Sequence, residues 1–289
     1  MQPQTLASEV TSLFSLPDLV VRVSTIMDSP TATARELVAA IELDAGLAAT
    51  VLRLANSALY GHGRVTSLSH AVAIIGHKAL RDLVLAVSAV RAFHDIPAEF
   101  VDMTTFWENS ISCAVLAQQI GRHVRLPESE ALFLAGLLHG VGRLVFYARR
   151  PKEYREVLKR AQDGEEGLVA AERQVFGFCY AELGAALLEQ WGLPLKLRLA
   201  VTHQLKPAAT AAFHKEVAAV HLAADMAAHL APCIKQRQEP TAYVPGEAAA
   251  AAMQTLGLKS EDLDPINLEA LAASLEVIEI IHPGAGTIF

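Results

Sequence analysis

The residues best placed to do chemistry lie in the stretch Gly136-Leu137-Leu138-His139-Gly140-Val141-Gly142-Arg143-Leu144-Val145. A single imidazole is set among apolar residues, with a guanidinium one helical turn further on. Apolar neighbours on both sides imply burial, and a buried polar group is costly unless it is paired. His139 therefore has three readings: a metal ligand, a catalytic base, or a core histidine held by hydrogen bonds. Arg143 could hold an anion beside it, or could be solvated or ion-paired near a helix end.

Other reactive side chains are scattered. His214, His221 and His229 are 7 and 8 residues apart, two helical turns each, too far for one metal ion to bridge; they read as a polar face on an alanine-rich helix. His62 and His70 flank a loop and are expected to be exposed. Cys113, Cys179 and Cys233 are odd in number and form no CxxC pair, against both a disulfide framework and a zinc ribbon. Nucleophile elbows, P-loops, GxGxxG, HExxH and kinase-like signatures do not occur. Gly61-His62-Gly63 lacks a preceding strand and reads as a turn, and Trp107 and Trp191 read as helix-packing anchors.

The elements that would carry these groups are helical. Apolar residues recur at helical spacing in segment after segment, while no alternating hairpin pattern or fixed-period repeat is seen. Thr33 with Glu36 forms a capping box for one helix, which ends near Asp44-Ala45-Gly46. A second helix runs from Leu47 to Asn56. Ser67 or Ser69 caps the next, which reaches Gly76, and a longer one follows from about Lys78 to Phe93. Thr104 or Thr105 opens the helix carrying Phe106, Trp107, Ile111 and Val115. Pro127, Glu128 and Glu130 start another that runs on through Leu138 and His139. Further helices are predicted at about 151–161, 164–177, 180–191, 194–203, 214–236, 248–257 and 261–280, with a loop over 238–248.

Composition bounds the function. In 289 residues, 24 Lys and Arg stand against 31 Asp and Glu, a net charge of −7 without any basic run, so nucleic-acid binding is not expected. Mean hydropathy is +0.31, yet no long uninterrupted apolar stretch suggests membrane insertion. The polar start, which includes Glu9, lacks the features of a signal peptide. The expectation is a cytoplasmic all-α protein.

Several motifs, in order, resemble a known family. Ile41-Glu42-Leu43-Asp44, Leu54-Ala55-Asn56-Ser57-Ala58-Leu59-Tyr60-Gly61 and Ser67-Leu68-Ser69-His70-Ala71-Val72 resemble the N-terminal half of an HDOD (HD-related output) domain, with Asp44, Asn56, Ser57 and Tyr60 as its motif residues. Phe106-Trp107-Glu108-Asn109-Ser110 is similar to that family's middle helix. The stretch around His139 resembles its Gly-Leu-Leu-His-Asp-Ile-Gly-Lys-Leu signature, and Glu182-Leu183-Gly184-Ala185, Trp191-Gly192-Leu193-Pro194 and His203 extend the match. The resemblance implies an HD-like helical bundle with a tail at 1–11, an HDOD domain at 12–207 (halves 12–96 and 97–207), and a C-terminal helical extension at 208–289 packed on the second half.

It also implies where a metal would sit. HD-type phosphohydrolases hold metal with a histidine on one helix, a His-Asp pair on another, and a later aspartate; the cation acidifies a bound water and polarises a phosphate. Here Asn109 stands at the first histidine, His139-Gly140 replaces the His-Asp pair, and Cys179 stands where a later histidine is often found. His203 persists, Asp225 matches the later aspartate, and Arg143 keeps the cation of the family's lysine. The expected ligand set is incomplete, so no cofactor and no catalysis are expected. The chain is instead expected to be a bacterial regulatory protein that binds a signalling protein partner. Two alternatives stand beside this: a degenerate phosphohydrolase acting on nucleotides or cyclic dinucleotides, and a sensor holding a nucleotide or other small molecule in the remnant pocket of Asn109, His139, Gly140, Arg143, Cys179, His203 and Asp225.

Overall fold

Side-chain caps set several of the helix starts. In the computed structural model, which describes residues 2–11, 21–23, 25–26, 33–60, 65–93, 96–162, 164–210, 212–236 and 242–282, the Thr33 hydroxyl accepts from Glu36 N while Thr33 N donates to Glu36 Oε2 at 2.8 Å. This is the capping box expected from sequence. Asp44 Oδ1 accepts from Leu47 N at 2.8 Å, and Ser67, not Ser69, accepts from His70 N at 3.1 Å. The helix carrying Trp107 is capped by Asp102, whose carboxylate accepts from both Thr104 N and Thr105 N. Thr104 and Thr105 are therefore inside that first turn, because a carboxylate two or three residues upstream is the stronger acceptor.

Among the described residues there are helices only, numbered α1 Pro3–Thr11, α2 Ala34–Ile41, α3 Ala45–Ala55, α4 Leu68–Ala92, α5 Met103–His123, α6 Ala131–Leu137, α7 Val141–Arg149, α8 Pro151–Arg160, α9 Gly164–Phe176, α10 Tyr180–Gln190, α11 Leu195–His203, α12 His214–Gln236, α13 Glu247–Leu256 and α14 Ser260–Ile281. The all-α expectation holds. Within the segment expected to be a tail, α1 lies against α10, burying Leu6 and Ala7. A break at Gly76, with φ 83°, splits α4 where the sequence places a boundary. The expected turn at Gly61-His62-Gly63 lies outside the described residues.

Helix α5 is the axis of the second half. It packs against α6, α12 and α14, while α2 and α3 pack on α4, and α4 joins the halves through α6. The C-terminal helices α12 and α14 pack on α5, and α14 also reaches α3, where Arg53 Nη2 donates to Ile280 O at 3.4 Å. The stretches Ala131–Arg149 and His214–Gln236 have mean hydropathies of 1.6 and 1.4, in the range of a membrane span, and are 83% and 56% buried inside the bundle. Their apolar surface is used against other helices.

The motif residues of the first half hold backbone. Asp44 caps α3 and pairs with Arg91 at 3.3 Å. The Asn56 side-chain amide accepts from Val65 N at 2.8 Å and donates to Val65 O at 2.9 Å, clasping the two ends of the loop between them. Ser57 Oγ donates to Leu54 O at 2.7 Å, and buried Tyr60 lies under the Arg122 guanidinium at 5.7 Å.

Two helix crossings are too close for any side chain but glycine. A Cβ on Gly136 would sit 2.7 Å from Ala114 Cα and from Cys113 O, where α6 crosses α5. A Cβ on Gly142 would overlap Tyr180 O and lie 2.6 Å from Gly184 N, where α7 crosses α10. Helix propensity alone would favour Gly142→Ala by about 1 kcal/mol. Backbone atoms cannot yield as a flexible side chain does, so the sign should reverse. We expect Gly142→Ala to lower stability by at least about 2 kcal/mol, read as a lower urea midpoint at an unchanged slope. A raised midpoint would show that the crossing is not this tight.

Candidate functional site

His139 lies between helices, not within one. The sequence suggests a helix running through it, but α6 ends at Leu137 and α7 begins at Val141, leaving Leu138–Gly140 as a turn. The tight crossings at Gly136 and Gly142 fix the directions of two short helices, and the turn reconciles them. His139 is 8% exposed, and its Nδ1 lies 2.6 Å from Gly136 O. A carbonyl only accepts, so Nδ1 carries the proton and Nε2 the lone pair. Burial, then the nearby Arg143 charge, hold its pKa below the ordinary value, against the opposing Gly136 hydrogen bond. The ring is neutral.

Gln204 fixes the turn from the other side. Its Nε2 donates to His139 O at 2.7 Å and to Val201 O at 3.1 Å, and its own carbonyl accepts from His221 Nδ1 at 2.6 Å. His221 is thus tied to the core and does not belong to a solvated face, although His214 is exposed as expected. Its Nε2 is buried without a partner among the described residues. The chain His139–Gln204–His221 links the turn to α11 and α12. Of its members, only Gln204 was missed in the sequence, where its place directly after the matched His203 was the available signal.

Gly140 decides the chemistry of the turn. Its backbone (φ −98°, ψ 0°) is open to any residue. A Cβ there would meet the Phe106 ring, 3.4 Å from Cε2 and 3.5 Å from Cζ. The space beside Gly140 is bordered on one side by the edge of an aromatic ring, which offers no hydrogen bond to a carboxylate. Phe106 stands one turn before Asn109 on α5, edge-on to Trp107 with centroids 5.0 Å apart. Asn109 is half-buried and neutral.

The other candidates are tied to their own partners. Arg143 extends from α7 to Glu165 and stacks over the Tyr180 ring at 4.1 Å, so its charge is already answered. Behind it, Glu172 is fully buried, accepting from Tyr154 Oη and Tyr180 N, both at 2.8 Å. Burial pushes its carboxyl pKa up, and Tyr180 N is the first donor of α10, so Glu172 caps that helix from outside. No local sequence pattern marks this, since its partners are remote in the chain. Cys179 heads α10, its N donating to Glu182 Oε2 at 2.9 Å and its Sγ accepting from Arg173 at 3.4 Å; burial raises the thiol pKa to about 11. His203 is half-buried at the end of α11. Asp225 is exposed on α12 and accepts from Tyr243, whose ring packs 5.5 Å from His229.

The donor set does not fit the metal centre that the sequence resemblance brings to mind. It offers one neutral imidazole followed by a glycine, and among the described residues no three His, Cys, Asp or Glu side chains converge. The arrangement supports a rigid, neutral, hydrogen-bonded turn at the crossing of four helices.

Comparison with known proteins gives the family and the fold. The profile of the HDOD domain matches residues 13–207. A curated relative, an uncharacterized protein of Treponema pallidum (strain Nichols), is 25% identical over 191 residues; the match covers 65% of this chain and 37% of that protein. Among solved structures, a Shewanella amazonensis SB2B protein provisionally described as a phosphohydrolase superposes with a TM-score of 0.71 at 23% identity, covering 94% of this chain and 97% of that one. An HDOD domain protein of unknown function from Geobacter sulfurreducens gives 0.69 at 25%, covering 96% and 97%. The MmoQ response regulator of Methylococcus capsulatus str. Bath gives 0.50 at 28%, covering 87% and 97%. The chain belongs to the HDOD family, and this company fits a regulatory role.

The state of His139 is open to test through pH. The unfolded chain takes up a proton on this side chain near 6.5, while the folded chain resists it. The unfolded state then binds more protons, so stability is full above that value and falls as the pH is lowered through it towards the folded pKa. One histidine contributes at most about 1.4 kcal/mol per pH unit. We expect His139→Gln to flatten the stability–pH curve on the acid side of 6.5, measured by urea unfolding. An unchanged slope would mean that the imidazole is not held neutral.

Proposed function

We propose that this HDOD protein is a non-catalytic regulatory protein of the cytoplasm that acts by binding a signalling partner. The observation that carries the reading is Gly140 against Phe106: the turn that would present a carboxylate to a metal presents none, and an aromatic edge borders the space. A neutral His139, neutral Asn109 and an Arg143 engaged by Glu165 and Tyr180 support it. Metal-assisted phosphate hydrolysis uses anionic ligands to hold the cation and leaves a coordination position for water; these residues supply neither. A nucleotide sensor would rely on Arg143 as its phosphate contact, and that side chain already has an anion and a ring to hold it. Apolar helices turned towards one another, not outwards, support a soluble protein.

Hydrolysis assays with bis(p-nitrophenyl) phosphate, nucleotides and cyclic dinucleotides, each with added Mn(II) or Fe(II), test the reading. The expected rate equals that of His139→Ala, and both equal the metal-only blank. Turnover that falls at least about a hundredfold in His139→Ala would establish an enzyme and overturn the proposal.

A further inference from the structure

Helix α14, beyond the part of the chain that matches the family, presents an apolar stripe in an unbalanced acidic setting. Leu268 and Leu275 are 62% and 42% exposed. Seven residues apart, they lie on one face with Ala272 between them. Asp264 precedes the first by four residues and Glu279 follows the second by four, so a carboxylate closes each end of the row. Glu269 and Glu276, also seven apart, run along one flank.

The charge is answered only in part: Arg53 on α3 lines one hollow with Glu276 and Glu279 and donates to Ile280 O at 3.4 Å. Helix α14 carries Glu261, Asp262, Asp264, Glu269, Glu276 and Glu279 and neither Lys nor Arg. Asp262 pairs with His123 at 3.3 Å, Glu261 with Lys259 at 3.2 Å, and Glu276 accepts from Ala58 N at 2.8 Å. Asp264, Glu269 and Glu279 are exposed and have no ion pair or hydrogen bond among the described residues. Leu158 on α8 is also exposed, at 48%, but there Arg155 pairs with Glu99 and Lys159 with Glu156.

We propose that this face of α14 is a docking site for a basic amphipathic helix of a partner protein. Such a helix would lay apolar residues at the same seven-residue spacing against Leu268 and Leu275, with Lys or Arg beyond each end and along the Glu269–Glu276 flank. A second copy of this chain fits poorly. An antiparallel pairing sets Asp264 against Glu279, and a parallel one sets each carboxylate against itself, so either way like charges meet. The assignment rests on the regulatory reading and names its surface. The two fail separately, because hydrolysis at His139 and docking on α14 are measured independently.

The test uses the full chain and a labelled synthetic Leu/Lys peptide of on the order of 20 residues, long enough to be helical, with leucines at heptad spacing. Controls are a peptide of the same composition in scrambled order and one with Glu for Lys. We expect saturable binding of the first peptide alone, slowed amide exchange over residues 260–281, and a rise in Kd of at least about tenfold in Leu268→Asp/Leu275→Asp. Asp264→Lys/Glu279→Lys should weaken binding and flatten its salt dependence. Both pairs are exposed, and thermal melts check that the variants fold; Leu268→Gln/Leu275→Gln serves if the aspartates disturb the helix. Equal binding of the scrambled peptide, protection elsewhere, unaltered affinity of the variants, or self-association abolished by them would overturn the proposal.

Discussion

Backbone contact at two glycines governs the centre of this molecule. At Gly136, α6 comes within touching distance of α5, and at Gly142, α7 does the same with α10. Packing that close leaves no tolerance in helix direction, because backbone cannot change rotamer. The residues between must turn, and the turn is where His139 sits. Its ring folds back on Gly136 O, Gln204 holds its carbonyl from α11, and His221 holds Gln204 from α12. Arg143 leaves the next helix towards Glu165 and Tyr180. The polar interactions follow from the crossings, and each satisfies a group that the crossings bury.

Much of this arrangement was legible in the sequence. The capping box of Thr33 and Glu36, the break at Gly76 and the helix over 214–236 are local, set by capping, glycine conformation and apolar periodicity. That a glycine and not a carboxylate follows His139 was also readable, since identity at one position needs no coordinates. What stayed hidden is tertiary. An unbroken apolar run through His139 cannot be told from two short helices, because the bend is imposed by helices α5 and α10. Asp102 rather than Thr104 caps α5 because two donors converge on one carboxylate. His221 looked like part of a solvated face, since its bond to Gln204 spans 17 residues. The polar opening segment gave little sign that Leu6 and Ala7 would be buried against α10.

The centre of the bundle is thus a structural crossing that carries a single histidine. It has close backbone contacts and a histidine, and the residue after that histidine is a glycine beside Phe106. Conserving volume and hydrogen bonds at a crossing keeps a fold, while removing anionic ligands takes away the means of holding a cation. On the proposed reading, selection acts on the bundle as a rigid support, and recognition lies on outward faces such as α14. The motif residues of the first half, Asp44, Asn56, Ser57 and Tyr60, fit the same reading, since each is bonded to local backbone or buried against Arg122.

The most direct test is anomalous diffraction from crystals soaked in Mn(II) or Zn(II), recorded at the metal edge. The account predicts no anomalous peak at bonding distance from His139 Nε2. A full-occupancy peak about 2.1 Å from that nitrogen would contradict it, and would place a metal centre where we find a neutral structural turn.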